Sequence, residues 1–300
     1  MPIASESFTG VDLSRLPAPD VVETLGFEAI RATSLAQFQA LFPDFDATVE
    51  SDPIMKLIEL FAHRELVLRQ RVNDAARAVM PAYARGADLD HLATLFGIER
   101  YIIAPADPDS GTAAVLETDD DFRRRMVLAP EGYSVAGPAG AYIFHALSAA
   151  SDVRDASAIS PAPGEVIVTV LSRTGDGSPA GPVLDAVEAR LNADTIRPLT
   201  DLVTVQPATI VPFAIDAALT FYPGPDRAVV MAAAQSALAD WLSIAIRLGR
   251  DVTRAAIIAA LFREGVQNVA LSSPAADIAL GPTEAGYCTA VTLTDAGTGG

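Results

Sequence analysis

The chain has 300 residues, 50% of them hydrophobic and 20% charged, with Lys+Arg 21 against Asp+Glu 38 and a formal net charge of −17. That length gives a prior of about two domains with a core that needs no staples, and the composition argues against disorder. The single cysteine, Cys288, excludes a disulfide framework or a thiolate metal cluster within one chain.

The acidic balance makes nucleic acid a poor partner, a local basic patch aside. A mean hydropathy of +0.30 points to surface that partner chains cover. The most apolar stretch, Ala228–Leu248, carries Gln235, Asp240 and Arg247, so an uninterrupted membrane-length run is missing. Residues 1–10 show neither the basic nor the apolar region of a signal peptide. The lone thiol suits a reducing compartment.

The first half, residues 1–150, reads mostly as helix. Leu16-Pro17-Ala18-Pro19 leads to a helix near Phe27–Phe42, stopped by Pro43. Asp52 is placed as an N-cap with Pro53 at the first helical position, where a missing N–H costs nothing. Ile54, Ile58, Phe61, Leu68, Val72, Ala75 and Val79 then follow a 4,3 spacing, broken at Glu65, until Pro81 ends the run. A helix over Ile54–Met80 is roughly 40 Å long and needs neighbours along its length, from its own chain or another. Leu57, Leu60, Leu66 and Val67 add apolar surface beside that seam. The spacing therefore predicts burial on two sides, at least one by another chain, with Leu57, Leu60, Leu66, Val67 and Val72 as interface candidates.

Asp88 is expected to cap a shorter helix that Gly97 closes. Thr118 with Asp119, Asp120 and Asp121 opens another, where Arg123–Arg125 pair with those acids at i,i+3 and i,i+4. Gly137–Pro138 opens a fourth that contains Tyr142, Phe144 and His145.

Beyond residue 150 strands and helices alternate. Val166–Leu171 is a β-branched strand, followed by a loop at Ser172–Gly181, a helix near Pro182–Asn192 and a strand at Leu202–Val205. A second unit has a strand at Ala214–Phe221, a turn at Tyr222–Pro225 and a helix near Asp226–Leu248. A short helix to Phe262 and strands near Val266–Leu271 and Cys288–Leu293 complete it. The Asp226–Leu248 helix has a wide apolar face that includes Val230, Trp241 and Ile244, three further interface candidates. The fold class is α+β: a mainly helical N-terminal half with a long helix, then two small α/β modules at 151–208 and 209–294, and a fraying tail at 295–300.

Catalytic and ligand motifs fail on spacing. Gly175-x-Gly177 follows a strand, but Gly181 comes one residue too late for a dinucleotide loop, and Pro179 and Pro182 remove donors. Gly132-Tyr133-Ser134-Val135-Ala136-Gly137 misses the nucleophile elbow by one residue and no apolar strand precedes it. His63, His91 and His145 share no metal-ligand spacing, and Asp88, Asp90 and His91 or Asp119–Asp121 are explained as helix-start acids and exposed positions. No cofactor or metal is expected. An α/β enzyme or small-ligand module using the Gly175–Gly181 loop remains the alternative.

Several longer phrases carry a resemblance. These are Leu16–Glu23, Arg69–Met80 continuing into Ala82–Asp90, and Ser134–Tyr142 with Phe144-His145. Tyr222-Pro-Gly-Pro225 and Arg247-Leu-Gly-Arg-Asp251 complete the set, nearly end to end and in register. Together they resemble the baseplate J-like family of contractile-tailed phages, with Ala4–Gly10 as an extra lead-in. The resemblance implies a structural wedge protein of the tail baseplate, not an enzyme, assembled in the host cytoplasm around the tail tube and spike. It further implies pairing with a second copy, helix bundling with other wedge proteins, and contact with a small baseplate protein near the sheath.

Overall fold

The computed structural model describes residues 13, 16, 19, 21–46, 49, 51–224 and 226–299. Pro17, Ala18, the stretch 4–10 and Pro225, on which parts of the sequence reading fall, lie outside the described residues. The chain divides into two compact units, one within residues 11–100 and one within 101–300.

The first unit is helical. Helix α1 (Phe27–Leu41) ends two residues before Pro43. Helix α2 (Pro53–Ala78) starts where expected, with the Asp52 carboxylate accepting the Ile54 N–H and Pro53 in the first turn. Helix α3 (Gly86–Ala93) departs from the sequence reading: Arg85 holds the N-cap position and Asp88 lies inside the first turn, as a partner of the helix dipole rather than as a cap. Gly97 does close this segment in the left-handed conformation, φ 69°.

The second unit opens with a short antiparallel pair, β1 (Ile102–Ala104) and β2 (Val115–Leu116). Helix α4 (Asp119–Leu128) is capped by the Thr118 hydroxyl, which accepts the Asp121 N–H, and helix α5 (Ala139–Leu147) follows Pro138. A three-stranded sheet has the order β3–β4–β5, with β3 (Val153–Ile159) antiparallel and β5 (Leu202–Pro207) parallel to the central β4 (Glu165–Ser172). Helix α6 (Gly181–Leu191) makes the crossover from β4 to β5.

Strand β6 (Thr209–Phe221) follows β5 directly and is the centre of a second three-stranded sheet. Its neighbours are the antiparallel β7 (Val266–Ser273) and the parallel β8 (Glu284–Thr298). Helices α7 (Arg227–Ala245) and α8 (Arg254–Leu261) connect β6 to β7. Both sheets thus share one plan, a central strand with one antiparallel and one parallel neighbour.

The main core lies in the second sheet, where Ile215, Ala217, Leu219 and Phe221 of β6 pack with Val230, Ala234 and Leu238 of α7 and Ile257 and Leu261 of α8. A smaller cluster, Leu171, Ala208, Leu248 and Ala285, packs between the two modules. By length and composition alone α7 is apolar enough to cross a membrane, a property that its interrupting Gln235 and Asp240 do not remove.

Two departures have clear causes. Strand β3 is absent from the sequence reading because Arg154, Asp155 and Ser157 make the segment look polar, yet Asp155 is fully buried in the strand. Strand β8 runs to Thr298 through residues expected to fray, held by pairing with β6 and by the Arg227–Asp295 ion pair at 3.2 Å.

Candidate interaction surfaces

Helix α2 presents two faces of opposite character. Met55, Ile58, Ala62 and Asn73 are its buried residues, on the side packed by α1 and the segment before it. Asn73 fixes that segment: its amide donates to the Glu23 carbonyl at 2.9 Å and its carbonyl oxygen accepts the Glu23 N–H at 3.0 Å. Glu65, the break in the seam, pairs with Arg69 at 2.7 Å, and Arg69 also reaches Glu23 at 3.4 Å.

The seam itself faces the other way. Apart from Ile58 it is open: Phe61 is 63% exposed, Leu68 67%, Val72 59% and Val79 67%. The 4,3 spacing predicts a packed seam, and the helices among the described residues leave it uncovered. Neighbouring Leu57, Leu60 and Val67 are also exposed, which widens the stripe, while Leu66 is half-buried. Leu66 and Val67 border an open groove of about 640 Å³ that also involves Leu25, Gln70, Asp74 and Asp88. A heptad-spaced apolar stripe on a long helix is the pattern that a second helix covers by knobs-into-holes packing.

The candidates on α7 separate. Val230 is 7% exposed and part of the core, so it faces the chain's own sheet and is not available to a partner. Trp241 packs at the margin of that core, and Ile244 is exposed near the end of the helix.

A polar cluster that the sequence reading did not find lies behind α4. Arg123 pairs with Asp120 at 2.8 Å, as i,i+3 spacing predicts. The next two arginines reach farther along the chain: Arg124 pairs with Asp155 at 2.6 Å and Arg125 with Glu117 at 2.7 Å. Asp121 is held between Arg173 and Arg247 from distant parts of the chain. Burial pushes the Asp121 carboxyl up, but Arg247 and Arg173 outweigh it and bring it down to about 2. Asp155 also accepts the Leu248 N–H at 3.0 Å, so one buried carboxylate in β3 binds α4 and the segment after α7. The Arg247–Asp251 phrase is therefore a structural joint between the modules.

The motif residues have structural duties. Gly137 adopts φ 75°, and a Cβ there would lie 2.9 Å from both Asp201 and Pro198. The Tyr142 hydroxyl donates to Asp201 at 2.6 Å, tying α5 to the approach to β5. In the Gly175–Gly181 loop the Asp176 carboxylate accepts the Ser178 N–H at 2.9 Å, a donor that a phosphate would need. Gly177, φ 103°, sits where a Cβ would be 2.7 Å from Leu171. The Ser134 hydroxyl accepts the Ala136 N–H at 3.4 Å. His145 is buried in α5, and burial lowers its basicity, whereas His63 and His91 are exposed.

Comparison with known proteins gives a consistent picture. Residues 50–107 match the baseplate J-like N-terminal domain, 134–207 the baseplate J-like central domain, and 213–294 the baseplate J-like protein C-terminal domain. The chain is 46% identical over 288 residues to baseplate protein J of Escherichia phage P2, covering 93% of this chain and 95% of that protein. Among solved structures, a chain of the anti-feeding prophage baseplate aligns with TM-score 0.39 at 15% identity, over 62% of this chain and 43% of that one. This chain thus spans less than half the length of that structural relative. The chain belongs to the baseplate J-like family.

Proposed function

We propose that the chain is a wedge subunit of a contractile tail's baseplate. It packs its long helix against helices of other baseplate wedge proteins and pairs with a second copy through its α/β half. Its family makes it a structural protein of the phage tail baseplate. The observation that carries the finer reading is the exposed heptad stripe of α2, Phe61, Leu68, Val72 and Val79 with Leu57, Leu60 and Val67 beside it. Such a stripe exposes apolar surface that water penalises, at about 25 cal/mol per Å², until another helix covers it.

The acidic, apolar-rich chain fits a part whose surface is shared out among neighbours, including the small sheath-proximal baseplate protein. The role requires no cofactor and no catalytic group. The enzyme alternative needs a free cradle at Gly175–Gly181, where Asp176 already takes a backbone donor.

Val67→Asp tests the reading. Val67 is exposed, so the variant should fold as the wild type does. Its incorporation into tail baseplates, measured by electron microscopy and by the protein content of purified particles, should drop severely. Normal incorporation would show that the α2 face meets no partner.

A further inference from the structure

Helix α5 is buried from Gly140 to Leu147, yet its last turn holds polar atoms with nothing to bond. Among the described residues four buried side-chain nitrogen or oxygen atoms have no hydrogen-bond partner, and three of them belong to α5, its cap and α6. They are Nδ1 of His145, Oγ of Ser148 about one helical turn further on, and Nε of Arg190 on α6, which packs against α5. An unpaired buried polar atom costs free energy, and that cost is concentrated where α5 meets α6.

The charges around this contact are one-sided. His145 is 8% exposed, and its imidazole bonds the Gly132 backbone and feels the positive charge of Arg190. Arg190 has no ion pair among the described residues that would offset that charge. The other charged groups on the elements packed against α5 do not act on the imidazole. Glu131 and Tyr133 stand on the turn Ala129–Tyr133 that carries Gly132. On α4 and β3, Arg123 pairs with Asp120, Arg124 with Asp155, Arg125 with Glu117, and Asp121 with Arg173 and Arg247. Asp119 lies at the start of α4, and Arg154 of β3 donates to the Ser243 carbonyl. Asp185 and Glu188 of α6 and Glu165 of β4 are exposed.

We propose that His145 is an acid-triggered release between α5 and α6: a proton taken up by the imidazole sets a second buried positive charge beside Arg190, on an N–H that has no acceptor, and α5 parts from α6. Because α5 also packs on β3 and its Tyr142 holds Asp201, the release loosens the whole first sheet. The sign follows from burial. Burial and the Arg190 charge lower the basicity of the folded imidazole below its ordinary 6.5, so the unfolded chain takes the proton first. His145 therefore leaves stability unchanged well above 6.5 and removes it as pH falls from 6.5 toward the lower folded value.

Urea unfolding of the full-length chain in steps from about pH 7.5 to pH 5 tests this, with wild type, His145→Gln and Arg190→Gln compared. Carboxylates and the exposed His63 and His91 titrate in all three and cancel in the comparison. The wild-type midpoint should fall more steeply below 6.5 than that of His145→Gln, which has no proton to take up. Arg190→Gln removes the neighbouring charge at a position that is only partly buried, so it should fold and show a shallower fall than wild type, even if His145→Gln does not fold. Amide exchange over Ala139–Ser148, corrected for its intrinsic pH dependence, should speed up on acidification in wild type and much less in Arg190→Gln. Parallel pH profiles for wild type and the folded variants, or α5 amides whose protection is unchanged at pH 5, would overturn the release.

Discussion

Asp121 shows how one side chain joins parts of the chain that are far apart in sequence. It begins as a helix-start acid at the dipole of α4 and ends between Arg173 and Arg247. Asp121→Asn would leave two buried guanidinium groups short of their charge partner, and unfolding free energy at neutral pH should fall by about 3 kcal/mol in urea titrations. The pH dependence has a definite sign. The folded carboxyl lies at about 2, below its ordinary 3.8, so its contribution is complete above 3.8 and is lost as pH falls toward 2. The stability gap between wild type and Asp121→Asn should therefore narrow over that window and stay constant above it. The sequence made the first turn of α4 legible, through Thr118 and the three acids. The cluster was not legible, because local spacing offers each arginine a nearby acid, while the actual partners of Arg124 and Arg125, Asp155 and Glu117, are chosen by tertiary packing.

At the scale of elements, α2 decides most. Asp52, Pro53 and the approach to Pro81 marked its ends to within two residues, since caps and proline act locally. The 4,3 spacing also marked an apolar seam along its length. It could not say whose helix fills that seam, because periodicity records that a face is apolar and not which chain covers it. In the structure α1 takes the side of Met55, Ile58 and Ala62 instead. That gives Leu68→Asp an outcome opposite to a core substitution. With Leu68 67% exposed, the isolated chain should lose less than about 1 kcal/mol in thermal or urea unfolding, where a buried site would cost several. Assembly into baseplates should nevertheless fail. Strand β3 was missed for the reverse reason: its polar residues hide the strand pattern, but Asp155 is buried because Arg124 and the Leu248 N–H satisfy it.

For the molecule as a whole, alternating strands and helices after residue 150 disclosed the α+β class, and the longer phrases disclosed the family. The physical basis of those phrases emerges only in the folded chain. Gly137 and Tyr142 meet around Asp201, and Arg247 and Leu248 bind Asp121 and Asp155. They form a joint between modules. The first unit leaves the apolar stripe of α2 exposed, so the proposed role makes the chain a component completed by its neighbours. A reconstruction of the intact tail baseplate tests that claim most directly. The account predicts a helix of another chain laid along α2 from Ile54 to Val79, with Phe61, Leu68 and Val72 buried beneath it. A baseplate in which this chain is present and that stripe faces solvent would contradict it.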